Sequence, residues 1–191
     1  MLQAWGDESG SVASRDPGTY LLGAVIVAVD RLDDLRAAMR AVPRRGGSKL
    51  HWSSDDDAGH RRTLMAALEE DLEAFVVVRA GSVMERNERR RRKCMETFAP
   101  ALESVGCATL TMESRGPSDD HRDRLCFDAM RAGRVLSAGG LRIEHVPGPA
   151  EPALWLADAV CGAVVAYRLG DDRWIRLIDK RATIELIGGA T

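Results

Sequence analysis

The chain has 191 residues, 45% apolar and 29% charged, with a formal net charge of −2 at pH 7. That is the balance of one ordinary globular domain with room for a packed core. No stretch approaches the ~20 apolar residues of a membrane span, and no basic segment followed by an apolar core opens the chain as a secretory signal would.

Residues 2–8 read as a first strand and "SGSVASRDPG" at 9–18 as a turn. Residues 19–29, apolar on both faces, make a second strand deep in a sheet and antiparallel to the first. Asp30 is placed to cap a helix over 31–42, where Leu32, Leu35, Ala38, Met39 and Val42 recur at helical spacing, and Pro43 with Gly46-Gly47 ends it. "SKLHWSS" at 48–54 fits a strand edge or an ordered loop. A helix over 57–73 turns Leu64, Met65, Leu68 and Leu72 inward, and "EAFVVVRAGSV" at 73–83 is a third strand. A helix over 85–104 follows, with Met95, Phe98, Leu102 and Val105 along one side.

"CATLTMES" at 107–114 is a fourth strand; Ser118, Asp119 and Asp120 start a helix that runs to about 132. "GLRIEHV" at 140–146 is a fifth strand, and the apolar segment 151–169 is a helix with Pro152 in its first turn. Residues 171–180 suit one more helix, and "ATIELIG" a final strand or tail. The order predicts a single-domain α/β fold, a mixed five-stranded sheet flanked by helices, with no repeat or linker.

Cys94, Cys107, Cys126 and Cys161 are far apart and form no C-x-x-C pair. This predicts reduced thiols in a cytoplasm and argues against zinc. No Walker loop, dinucleotide glycine pattern or nucleophile elbow appears.

Three acids stand out. Asp7 lies at the end of the first strand and Glu113 at the end of the fourth. Asp158 sits in the late helix among Leu154, Cys161, Gly162 and Val165, its neighbours three, four and seven positions away. An unpaired buried carboxylate costs several kcal/mol, so something must offset it: an arginine, hydrogen bonds or a metal. Carboxylates drawn from distant segments to one sheet edge suit Mg²⁺ or Mn²⁺, which prefer oxygen ligands. Two such ions ~4 Å apart orient a water and stabilise the leaving oxygen of a phosphodiester. Strand alternation separates Asp7, which shares a face with Ser9, from Glu8, so Glu8 is expected to cap the loop or pair with an arginine. The purely architectural alternatives are an internal ion pair for Asp158, a turn acid for Asp7 and a solvated strand face for Glu113.

"DESG" at 7–10, "YLLGAVIV", "KLHW" at 49–52 and "LWLADAVCGAVVAY" at 154–167 together resemble domain of unknown function family 3800, in order and over nearly the whole chain. The resemblance implies a ribonuclease-H-like fold and a metal-dependent nuclease site, with Asp7, Glu113 and Asp158 as metal ligands. It implies that His51 touches substrate or shuttles a proton; beside Trp52 it also suits a packed residue. That family's pattern leads one to expect aspartate where Glu113 stands.

The basic run "RNERRRRK" at 86–93 is either a solvated helix face or a phosphate track, with Arg89, Arg90 and Arg92 the candidate nucleic-acid contacts. It has no interleaved aromatic for base stacking. His60, His121 and His145 call for no role. The expected activity is hydrolysis of RNA or DNA; the alternative is a non-catalytic nucleic-acid- or protein-binding module on the same fold. A homodimer is left open.

Overall fold

A computed structural model describes residues 1–43, 50–52, 58–67 and 72–188. Its strands are β1 (Leu2–Gly10), β2 (Thr19–Ala28), β3 (Glu73–Ala80), β4 (Cys107–Glu113), β5 (Arg142–Val146) and β6 (Ala182–Ile187). Its α-helices are α1 (Leu32–Ala41), α2 (Ala58–Ala66), α3 (Asn87–Ser104), α4 (Pro117–Ala132) and α5 (Ala153–Arg168).

The strands form one mixed sheet in the order β5-β4-β1-β2-β3-β6. The sheet has six strands, not five, because "ATIELI" pairs in parallel with β3. β2 is antiparallel to both β1 and β3, while β1–β4, β4–β5 and β3–β6 pair in parallel. β2 is therefore the one reversed strand, and the carboxyl ends of β1, β4 and β5 come out on the same edge. Open α/β sheets bind ligands at such an edge.

Strand alternation divides the core in two. Trp5, Leu21, Val25, Val76 and Val78 face α1, α2 and α5. Ala4, Leu22, Val77, Leu110 and Met112 face Met95, Phe98 and Leu102 of α3 and Phe127 and Met130 of α4. α5 is buried from Ala153 to Ala157 and again from Ala159 to Val164, as an all-round apolar helix must be. It lies close on β2: a Cβ added at Gly23 would stand 2.7 Å from Cys161 Sγ.

Several boundaries differ from the sequence expectation. Asp30 falls in a 3-10 turn, and α1 begins at Leu32 without a side-chain cap. α4 begins one residue earlier, after Gly116 at φ +103°, and Asp120 turns back to accept hydrogen bonds from the Ser114 hydroxyl (2.6 Å) and the Arg115 N–H (3.0 Å). Val105 is 52% exposed because α3 ends at Ser104 and Gly106 turns the chain. Only a 3-10 turn, Ile175–Leu177, lies within 171–180. Residues 50–52 have no regular structure, and the rest of 48–54, Gly46-Gly47 and Leu68 lie outside the described residues. No helix among the described residues is long and apolar enough to cross a membrane.

Candidate metal centre and nucleic-acid interface

Where the ends of β1 and β4 meet α5, a cleft of about 480 Å³ opens. Asp7, Glu113, Asp158 and His51, brought from four distant segments, all line it.

Asp7 is buried on the α5 side of the sheet, three residues before β1 ends. Its Oδ1 accepts the Glu8 N–H at 2.8 Å, and its carbonyl accepts the Cys161 thiol at 3.6 Å. Glu113, the last residue of β4, extends toward Gly148, where an added Cβ would stand 2.3 Å from its Oε1. Asp158 Oδ2 accepts the Trp52 N–H at 2.8 Å and lies 3.6 Å from His51 Nδ1. The His51 side chain is half exposed at the rim.

Trp52 secures this corner. Its ring meets Trp174 edge-on at 5.4 Å, the Arg61 guanidinium stands 4.6 Å from its centroid, and Arg61 donates to its carbonyl at 2.8 Å. Among the described residues, no three acidic, histidine or cysteine side chains stand close enough together to hold an ion by themselves. The three acids offer hard oxygen donors on the walls of one cleft, in an open arrangement rather than a closed ligand set.

Glu8 points to the other face, into a buried charge network. Arg91, 1% exposed, donates to both oxygens of Asp123 at 2.8 and 2.7 Å, to the Tyr20 hydroxyl at 3.3 Å and to Glu8 Oε2. The expected arginine partner of Glu8 is thus present, with Arg115 adding a second ion pair at 3.5 Å. His145, for which the sequence called for no role, joins this network: its side chain is 3% exposed, with Nε2 3.0 Å from Asp123 Oδ2. Burial alone would raise the Asp123 pKa, but the hydrogen bonds from Arg91 and His145 and the charges of Arg91 and Arg115 outweigh it and hold the carboxyl well below the usual range.

The arginines of α3 divide. Arg89 and Arg92 are exposed at 74% and 64% and pair with Glu85 and Glu96. They line a groove of about 610 Å³ between α3 and α4, together with Lys93 and Arg122. Arg90 is buried instead, donating to Asn87 Oδ1 at 3.0 Å and to the Ser82 carbonyl at 2.7 Å, so its guanidinium is spent within the protein.

Sequence reasoning missed Arg91, Asp123 and Arg115. Arg115 had a signal, since "SRG" directly follows the strand-end Glu113.

No family model matches this sequence, and no curated protein matches it either. Solved structures do. The RNase HII of Archaeoglobus fulgidus, from the structure of its complex with PCNA, matches with a TM-score of 0.56 and 14% identity over 94% of this chain and 78% of that one. The ribonuclease H2 from Pyrococcus horikoshii OT3 matches with a TM-score of 0.56 and 17% identity, covering 95% of this chain and 77% of that one. At such identities the likeness is one of fold, and the fold is ribonuclease-H-like.

Proposed function

We propose that this chain is a Mg²⁺- or Mn²⁺-dependent nuclease of domain of unknown function family 3800, acting on RNA or DNA in a cytoplasm. The observation that carries the reading is the common cleft of Asp7, Glu113 and Asp158 at the carboxyl ends of β1 and β4. Carboxylates facing a polyanionic strand repel it, and divalent cations resolve the repulsion. Mg²⁺ commonly takes one or two carboxylates and completes its shell with waters and substrate phosphate, so an open arrangement suits it. When bound, such an ion neutralises phosphodiester charge and lowers the pKa of a water.

The chain's own groups then have distinct roles. The Glu8 N–H fixes the Asp7 carboxylate, and the Trp52 N–H fixes Asp158. His51, oriented beside Asp158, exchanges a proton between cleft and solvent. Arg89 and Arg92, exposed along the groove between α3 and α4, each neutralise a strand phosphate. The four free thiols accord with a reducing compartment.

The test is cleavage of labelled RNA, DNA and hybrid duplex with Mg²⁺ or Mn²⁺. Loss of cleavage in Asp7→Asn and Asp158→Asn, at unchanged urea stability, is the expected result; cleavage surviving both substitutions ends the reading. The exposure of Arg89 and Arg92 on α3 also suits a second reading, a non-catalytic nucleic-acid-binding module on the same fold. Calorimetric titration with Mn²⁺ separates the two, because the module would bind nucleic acid without binding the ion.

A further inference from the structure

We propose that Arg115 is the phosphate anchor of the cleft: its guanidinium leaves the acids that hold it and grips a substrate phosphate beside Glu113 and Asp7. The assignment rests on the nuclease reading above and adds to it the residue that fixes where the strand lies.

Charge comes first. Among the described residues lining the cleft, Arg115 is the one permanently cationic side chain, set against Asp7, Glu8, Glu113 and Asp158. A planar guanidinium fits two phosphate oxygens at once.

The way Arg115 is held comes second. Its one short contact from the head group is Nη1 to Glu88 Oε1, at 2.7 Å. Nη2 is 3.5 Å from Asp123 Oδ1, Nη1 is 3.8 Å from Asp119 Oδ2, and Nε is 3.5 Å from Glu8 Oε1. The Nε is buried and has no hydrogen-bond acceptor among the described residues. Arg91 already satisfies these acids, with two short bonds to Asp123 and one to Glu8, and His145 adds another to Asp123. Withdrawing Arg115 therefore strands neither carboxylate. Arg91 is held more tightly, with two short bonds to Asp123 at 2.8 and 2.7 Å beside those to Glu8 and Tyr20.

The backbone comes third. The Arg115 N–H is tied to Asp120, which also takes the Ser114 hydroxyl, and Ser114 Oγ accepts the Gly116 N–H at 3.2 Å. The Cα is thus fixed two residues beyond Glu113 while the head group is loosely held. That combination lets one side chain reach a ligand without moving the strand end.

The experiment is binding of a fluorescein-labelled single-stranded oligonucleotide, RNA and DNA separately, by anisotropy in Ca²⁺ across a KCl series. Wild type is compared with Arg115→Gln, Arg115→Lys and, as a distant exposed control, Arg176→Gln. Arg115→Gln is expected to weaken binding by about tenfold and to lower the slope of log K against log salt by about one phosphate contact. Arg115→Lys keeps the slope while losing part of the affinity, and Arg176→Gln changes neither. Urea midpoints and Mn²⁺ affinity of Arg115→Gln stay near wild type. Wild-type affinity and slope in Arg115→Gln would overturn the anchor alone. A wild-type protein that binds neither oligonucleotide at low salt would overturn the nuclease reading and the anchor together.

Discussion

Gly162 of α5 and the indole of Trp52 are in contact so close that a Cβ on Gly162 would stand 2.1 Å from the ring. One helical turn earlier, Asp158 accepts the Trp52 N–H. The glycine and the acid therefore seat the same residue, one by leaving room and the other by a hydrogen bond. In an exposed helix Gly→Ala stabilises by about 1 kcal/mol. Here a rigid ring and its neighbour Trp174 must move, so Gly162→Ala is expected to cost about 1–3 kcal/mol. It also shifts the aromatic near-UV circular dichroism, and cleavage falls as His51 and Asp158 lose their setting. A Gly162→Ala protein with wild-type urea midpoint and dichroism would contradict this packing.

Glu113 and Gly148 make a parallel case with a different outcome. A Cβ at Gly148 would meet only the far end of the Glu113 side chain, at 2.3 Å. That carboxylate is flexible and lies in the cleft, so it can swing aside without unpacking the core. Gly148→Ala should leave the free energy of unfolding, from urea titration, within about 0.5 kcal/mol of wild type. Mn²⁺ affinity and cleavage should both drop, because the donor has been pushed away from Asp7. Unchanged Mn²⁺ binding would remove Glu113 from the proposed ligand set.

The strand pattern was legible because β2 is buried along nearly its whole length and the helix faces keep a clean period. The separation of Asp7 from Glu8 followed from the period of two alone. β6 was ambiguous because it is an edge strand with Glu185 and Leu186 exposed, which reads as a tail as easily as a strand. The basic run misled for a physical reason: arginine is seldom buried, so "RRRR" reads as surface. Yet Arg91 stands four and seven positions before Met95 and Phe98, residues already expected to face inward. Extending that stripe by one turn predicts its burial. His145 had the same clue, since it lies two residues from Ile143 on the α4 side of β5. What no pattern supplies is which acid meets which arginine, because those pairs join residues 32 and 83 positions apart.

The Arg91 network yields a prediction that separates architecture from chemistry. Arg91→Met removes the cation that serves Asp123, Glu8 and Tyr20 together and leaves Asp123 nearly buried. A loss of about 3–5 kcal/mol is expected from urea unfolding. In Arg91→Met/Asp123→Leu the stranded charge is gone as well, so the double variant should be more stable than the sum of the single losses. Strict additivity would show that the pair does not couple.

Acid sensitivity follows from the lowered carboxyls. Asp16 is held near 2, from an ordinary 3.8, chiefly by hydrogen bonds from Arg168, against the opposing effect of burial and with help from Ser11 and Thr19. The Arg168 contacts, at 2.6 and 2.8 Å, tie the 11–18 turn to the last turn of α5. Asp123 is lowered as well, its burial outweighed by Arg91 and His145. A group whose folded pKa lies below its unfolded value contributes stability above the unfolded pKa and loses it as pH falls through the folded one. Both pairs therefore contribute in full at neutral pH, and the loss begins near pH 4 and deepens toward about pH 2. Urea midpoints measured at pH 7, 4 and 3 should fall in that order. Asp16→Asn should start lower at pH 7 and converge on wild type as the pH drops. A gap between the two proteins that stays constant down to pH 3 would show that the Asp16–Arg168 pair does not carry the acid response.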